Sequence, residues 1–335
     1  MKKILSIILT LVFTLCLSVG CKPTNDDNTT LSLYCPDGAP ALSVARLIDN
    51  DNLVNVDINV IPASTINGYV TGEAPKADIA IMPVNAASKL LGSASTYQML
   101  GVVTSGNLFI LKKQTGVEIT SSNLQTELIG KKVGVINLAN VPGLTFKAIL
   151  ADNNVPYCDF SGEVDSAKVN LVGLADGTAV TPHADCDYFV VPEPAATTKI
   201  NATQGKLSLA GSLQTLYGDG NGYPQAVLVA KKSVIANYSD TINSLISSFA
   251  DNYNWLVSND TSAETIVNAI VSALPDGTAP TFTANNLNKT VIANCGIGFI
   301  NATNSKASVL AYLNKINGIT ANSFGVPVDG FFYVG

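Results

Sequence analysis

The sequence predicts an α/β protein made of two doubly wound α/β domains, with the chain leaving the first, building the second and coming back. Three observations carry this prediction. From Thr30 onward, strand-like and helix-like patterns alternate regularly. Some strand-like runs, ADIAIMPV (77–84) foremost, are nearly continuous in apolar residues, as strands covered on both faces of a parallel sheet are. Two runs of matching length and character, NLFILKK (107–113) and QAVLVAK (225–231), stand at the borders of a middle unit, where a chain must cross twice.

In chain order, LSLYC (31–35) reads as a strand, and PDGAPALSVARL (36–47) as the start of a helix with Leu42, Ala45 and Ile48 on one face. VNVDINVIPA (54–63) alternates apolar and polar residues and is the second strand, and a short helix follows Ser64. After the strand at 77–84, Asn85 is placed to cap a helix through Leu91. The run 99–113 is extended and broken at Thr104–Asn107. The middle unit then offers strands at 130–136, 169–174 and 187–191, a helix at 141–152, and a helix after Pro194 ending near Asn201. The glycine-rich passage YGDGNGYP (217–224) reads as a hinge or turn. Helices are expected at 239–257, after a capping box at Thr261–Glu264, and at 304–316, with the aromatic end PVDGFFYVG packing down.

The first twenty residues predict an export signal. Lys2 and Lys3 precede an apolar run from Ile4 to Val19, short for a membrane span and suited to a signal peptide. It ends Leu17-Ser18-Val19-Gly20-Cys21, which resembles a bacterial lipoprotein signal whose cysteine is lipidated; plain cleavage after Gly20 is the alternative, because Ser18 stands where that signal usually has Leu. Residues 21–28 are polar, as a lipid-proximal tether should be.

Composition narrows the function classes. A formal charge of -6 and a single arginine, Arg46, argue against a nucleic-acid partner, which needs clustered cations. His183 is the one histidine and lies in a polar connection with no nucleophile motif beside it, and no Cys/His cluster has metal-ligand spacing. No GxSxG or phosphate-loop pattern follows a strand, so no catalytic residue, metal or cofactor is expected. With Cys16 in the signal and Cys21 at the lipidation position, Cys35, Cys158, Cys186 and Cys295 remain; Cys158 with Cys186 is a disulfide to test, against the reading of all four as small buried thiols.

The features that speak to function are three places where a strand gives way to a helix with small or amide residues: PDGAPA (36–41), PVNAAS (83–88) and NLANVPG (137–143). At the carboxyl ends of strands in an open α/β sheet, such turns face the ligand crevice, and free N–H groups at helix starts point into it. Ordinary helix starts are the competing reading. VVPEPAA (190–196) holds Glu193 between two prolines at a strand end, either as a ligand acceptor or as an acid favoured at a helix N-terminus.

The ordered set PDGAPALSVARL, ADIAIMPVNAASKLLG, SGNLFIL, IGKKVGVINLANVPGLTFKAIL, YFVVPEPAA and YPQAVLVAKK resembles the substrate-binding lipoproteins of ABC transporters, in the nitrate, sulfonate and thiamine-precursor (NMT1/THI5-like) group. The resemblance implies a type II periplasmic-binding-protein fold: two lobes joined by two hinge strands, closing around one small ligand. It implies lobe one at 29–114 and 212–335 and lobe two at 115–211. By position it implies ligand contacts from Asp37, Gly38, Ala39 and Pro40, from Asn85, and from Thr104 and Asn107. Lobe two would add Asn137, Asn140, Gly143, Thr145 and Glu193, with Tyr223 near the hinge.

The expected protein is a monomeric, exported solute receptor, lipid-anchored through Cys21 at the outer face of the cytoplasmic membrane or in the periplasm, serving an ABC permease. Members that hold carboxylates or sulfonates often use arginine, and Arg46 falls inside the first helix; a neutral ligand such as a heterocyclic vitamin precursor is therefore favoured over a sulfonate, with an anion held by helix starts alone as the alternative. The alternatives are an enzyme of menaquinone- or thiamine-precursor type on the same two-lobed fold, and a surface lipoprotein that senses without transport.

Overall fold

The computed structural model describes residues 29–50, 55–91, 96–320, 325 and 329–335. The expected signal, the tether and Cys21 lie outside the described residues. The strands are β1 (Leu31–Pro36), β2 (Val56–Ile61), β3 (Ile79–Pro83), β4 (Tyr97–Thr104), β5 (Leu108–Lys113), β6 (Lys132–Ile136), β7 (Tyr157–Asp159), β8 (Val169–Leu174), β9 (Tyr188–Pro192), β10 (Leu207–Ser212), β11 (Ala226–Lys231) and β12 (Ile297–Asn301). They form two six-stranded sheets, ordered β12-β4-β11-β3-β1-β2 and β10-β5-β9-β6-β8-β7.

The sheets share one plan. A parallel set (β2-β1-β3 in one, β7-β8-β6-β9 in the other) is followed by an antiparallel strand. In each sheet that strand, β11 or β5, is the first one laid down after the chain arrives from the other sheet. It pairs with the strand from which the chain departs, β4 or β10. Each crossing is thereby anchored on inner strands of the first sheet, β4 and β11, and on the β10-β5 side of the second. Val227, Leu228 and Val229 of β11 are fully buried, and each contributes roughly 2 kcal/mol of apolar burial.

This plan corrects two expectations. β5, assigned to lobe one by the 29–114 boundary, is an inner strand of the second sheet. NLFILKK and QAVLVAK are therefore not hinge strands themselves. The crossings lie just before them, a short one at Ser105–Asn107 and a longer one at 213–225 that contains the helix Leu213–Leu216 and the glycine-rich turn. The two crossings touch: Gly222 has φ 84°, and a Cβ there would stand 2.3 Å from the Ser105 carbonyl oxygen.

Local corrections follow from specific bonds. The predicted first helix is two, Ala39–Leu42 and Ala45–Asp49, separated where Ser43 donates through Oγ to the Pro40 carbonyl (2.6 Å). Asn85 is not a cap; it is the second residue of the helix Val84–Ala87, which Pro83 precedes. The cap of Ala263–Ser272 is Ser262 in place of Thr261, its hydroxyl accepting from the Thr265 N–H (3.0 Å). Helices Ser239–Val257 and Val141–Asp152 have the expected bounds. The Cys158–Cys186 disulfide is not formed, and all four described cysteines are thiols. Cys158 is in β7 and Cys186 leads into β9, three strand positions away. That is roughly 14 Å of sheet, twice what a disulfide spans.

The last helix, Ala302–Ile319, ties the lobes at the back. It packs on β4 of the first sheet and on Val141–Asp152 of the second lobe. Tyr312 meets Thr145 there, hydroxyl to hydroxyl at 2.7 Å, and Lys315 pairs with Asp152. Tyr217, Tyr223 and Tyr312 form a ring cluster beside the crossings, with centroids 5.5 to 5.8 Å apart. Among the described residues no helix is long and apolar enough to cross a membrane.

Candidate functional site

Four parallel strands end at one place. β1 is followed by Asp37, β3 by Val84 and Asn85, β6 by Asn137 and β9 by Glu193, and three of these strands finish on a proline (Pro36, Pro83, Pro192). Proline has no N–H to continue the ladder, so the chain turns off at the sheet end. The turns from both sheets face each other across a cleft of about 560 Å³, within the range of small-molecule sites.

Nine of the thirteen residues singled out from the sequence line this cleft. Asp37, Gly38, Ala39, Pro40 and Asn85 do so from lobe one, Asn107 from the short crossing, and Asn137, Asn140 and Glu193 from lobe two. The remaining four are absent from the lining. Thr104 is buried in the first sheet, its Oγ1 accepting from the Ala226 N–H (3.0 Å). Thr145 sits one turn into its helix and faces Tyr312. Gly143 packs against the preceding turn, where a Cβ would fall 1.8 Å from the Leu138 carbonyl oxygen. Tyr223 is 1% exposed and belongs to the tyrosine cluster; burial pushes its phenol well above the usual range. Thr145 and Tyr223 meet Tyr312 at the joint behind the cleft, while Thr104 and Gly143 are fixed within their own lobes.

Other lining residues went unread in the sequence. Gln225 precedes β11 and donates through Nε2 to Asn107 Oδ1 (2.8 Å). Thr281 arrives from a loop more than two hundred residues away, and Ser64 and Asn67 come from the connection after β2. The one legible signal was for Gln225, which occupies the position before a strand at a crossing.

The polar groups are unevenly committed. Asp37 Oδ1 accepts from the Gly38 N–H (2.7 Å), and Oδ2 accepts from Thr281 N–H and Oγ1 (2.8 and 2.7 Å). Glu193 Oε1 accepts from Thr197 Oγ1 (2.7 Å) and from Asn294 Nδ2 (2.9 Å), and Oε2 from the Thr197 N–H (3.1 Å). Asn294 belongs to lobe one, so this bond spans the lobes. Burial, with the Glu193 carboxylate adding to it, pushes the Cys295 thiol well above its usual range, which leaves it neutral and unreactive. Arg46 faces away, beside Asp251 at 3.7 Å, and His183 is exposed. Among the described residues, no cluster of His, Cys, Asp or Glu side chains is placed to hold a metal ion.

The fold is that of two-lobed periplasmic binding proteins. An ABC transporter structure from Parabacteroides distasonis superposes with a TM-score of 0.69 at 16% identity, over 91% of this chain and 99% of that one. The periplasmic aliphatic sulphonate binding protein SsuA of Escherichia coli gives 0.61 at 12% identity, over 91% and 92%. The periplasmic nitrate-binding protein NrtA of Synechocystis PCC 6803 gives 0.58 at 13% identity, over 90% and 84%. The sequence matches no protein-family model and no curated protein.

Proposed function

We propose that this chain is the extracytoplasmic solute-binding component of an ABC importer, in the nitrate, sulfonate and thiamine-precursor group, and not an enzyme. The observation that carries the reading is the cleft itself: strand-end turns of two separate sheets line one cavity, beside two chain crossings on which the lobes can pivot. A ligand held by both lobes favours the closed arrangement by its contacts in that state. A lipid on Cys21 would keep the receptor near its permease. The neighbours are a nitrate and a sulphonate binding protein by name, which supports a small solute here without choosing one.

Thermal melting of the purified protein against vitamins, nucleobases, sulfonates and amino acids tests the reading. A true ligand raises the melting temperature progressively, by about 2.7 kcal/mol of added stability at a hundredfold excess over its dissociation constant. A flat response across the whole panel would count against solute binding.

A further inference from the structure

We infer that the cleft takes a neutral or cationic nitrogenous molecule presenting two or more N–H donors to its floor, and that it excludes oxyanions. This deepens the solute-binding reading above and rests on it.

The charge of the lining comes first. Among the described residues, its ionisable side chains are two carboxylates, Asp37 and Glu193, with no Lys, Arg or His. An oxyanion entering there would lose water, meet a carboxylate on each side and find only uncharged donors, the side-chain amides and the N–H groups of helix starts, in return.

The second observation is what the floor lacks. Asn85 is 7% exposed, and its Oδ1 is buried without a hydrogen-bond partner among the described residues. Gln225 Oε1 is likewise buried and unpartnered. The two stand side by side, because Ala226 pairs with Pro83 in the sheet and the Val84 N–H donates to the Gln225 carbonyl (2.9 Å).

The orientation of Gln225 follows from its neighbours. The Glu193 carbonyl can only accept, so the Asn107 Nδ2 is turned towards it at 3.5 Å and the Asn107 Oδ1 is left to face Gln225. Gln225 must answer with its Nε2, at 2.8 Å, which leaves Oε1 as the unpartnered group. A buried acceptor without a donor is unfavourable, and a ligand N–H satisfies it while an oxyanion oxygen cannot. A site built to pair with donors rejects analogues that lack them far more strongly than an apolar pocket rejects a wrong shape.

The test is capture and release. Purified protein, stripped of bound molecules by unfolding and refolding, is mixed with a bacterial metabolite extract supplemented with ethanesulfonate and nitrate; what it retains is identified by mass spectrometry and ion chromatography. The expected result is a retained molecule with N–H donors whose affinity falls about tenfold to a hundredfold in Asn85→Leu and Gln225→Met. Asn85→Asp keeps an acceptor oxygen and the side-chain shape and breaks no hydrogen bond among the described residues, so its binding should stay well above that of Asn85→Leu even where the other variants fold poorly. Retention of ethanesulfonate, nitrate or another oxyanion overturns the inference and leaves solute binding standing. An N–H ligand with unchanged affinity in both acceptor-deleting variants also overturns it. Retention of nothing removes the solute-binding reading and this inference with it.

Discussion

The rim and the floor of the cleft each hold one carboxylate in the same sequence setting, after a proline that ends a parallel strand. Asp37 follows Pro36 and Glu193 follows Pro192. At the rim, Asp37 is partly exposed and binds its own turn and Thr281, all within lobe one. At the floor, Glu193 is 4% exposed and reaches Thr197 on its own helix and Asn294 across the lobes. The same residue class at the same kind of strand end thus fastens a loop in one case and joins two bodies in the other. What differs is the chain brought opposite, together with the depth of burial that makes each bond count.

The largest expected effect is at the floor. Glu193→Ala leaves the Asn294 amide and both Thr197 donors without their charged acceptor, and should cost about 3 kcal/mol in denaturant unfolding. Asp37→Ala removes an equal number of bonds in a more solvated place and should cost about 1 kcal/mol, the freed donors turning to water. Equal losses for the two substitutions would erase the distinction between rim and floor.

A smaller effect belongs to the opposite end of the first sheet. Burial alone would raise the Asp78 carboxyl, but the Ser32 N–H and the Lys231 ammonium (3.0 Å) outweigh it and hold the group below the usual carboxylate range. Its unfolded-state value is the higher one, so the contribution is complete above about pH 4 and fades as pH falls further. Melting followed from pH 6 to pH 2 should drop less steeply for Asp78→Asn than for the wild-type protein. Parallel curves would show that this ion pair does not couple to folding.

Much of the fold was legible in the sequence because period and burial are local properties. Strand β8 and the helices at 141–152 and 239–257 were read to the residue. Sheet membership is a matter of distant pairing, which explains why β5 was assigned to the wrong lobe and why the short edge strand β7 and the return strand β10 went unseen. The cleft was legible where a residue stands within two positions of the end of a parallel strand, as Asp37, Asn85, Asn137 and Glu193 do. Thr145 shows the limit: its helix starts at the cleft, but one turn later the side chain faces Tyr312. Thr281 shows the other limit, since no local pattern tells a loop which cleft it will border.

The central claim, that both lobes grip one molecule, is tested most directly by hydrogen–deuterium exchange with and without the captured solute. The account predicts that backbone amides in residues 37–42 of lobe one and 137–144 of lobe two slow together on binding, with no comparable change at the Asp78 end of the first sheet. Protection confined to one lobe, or spread evenly over the whole chain, would contradict it.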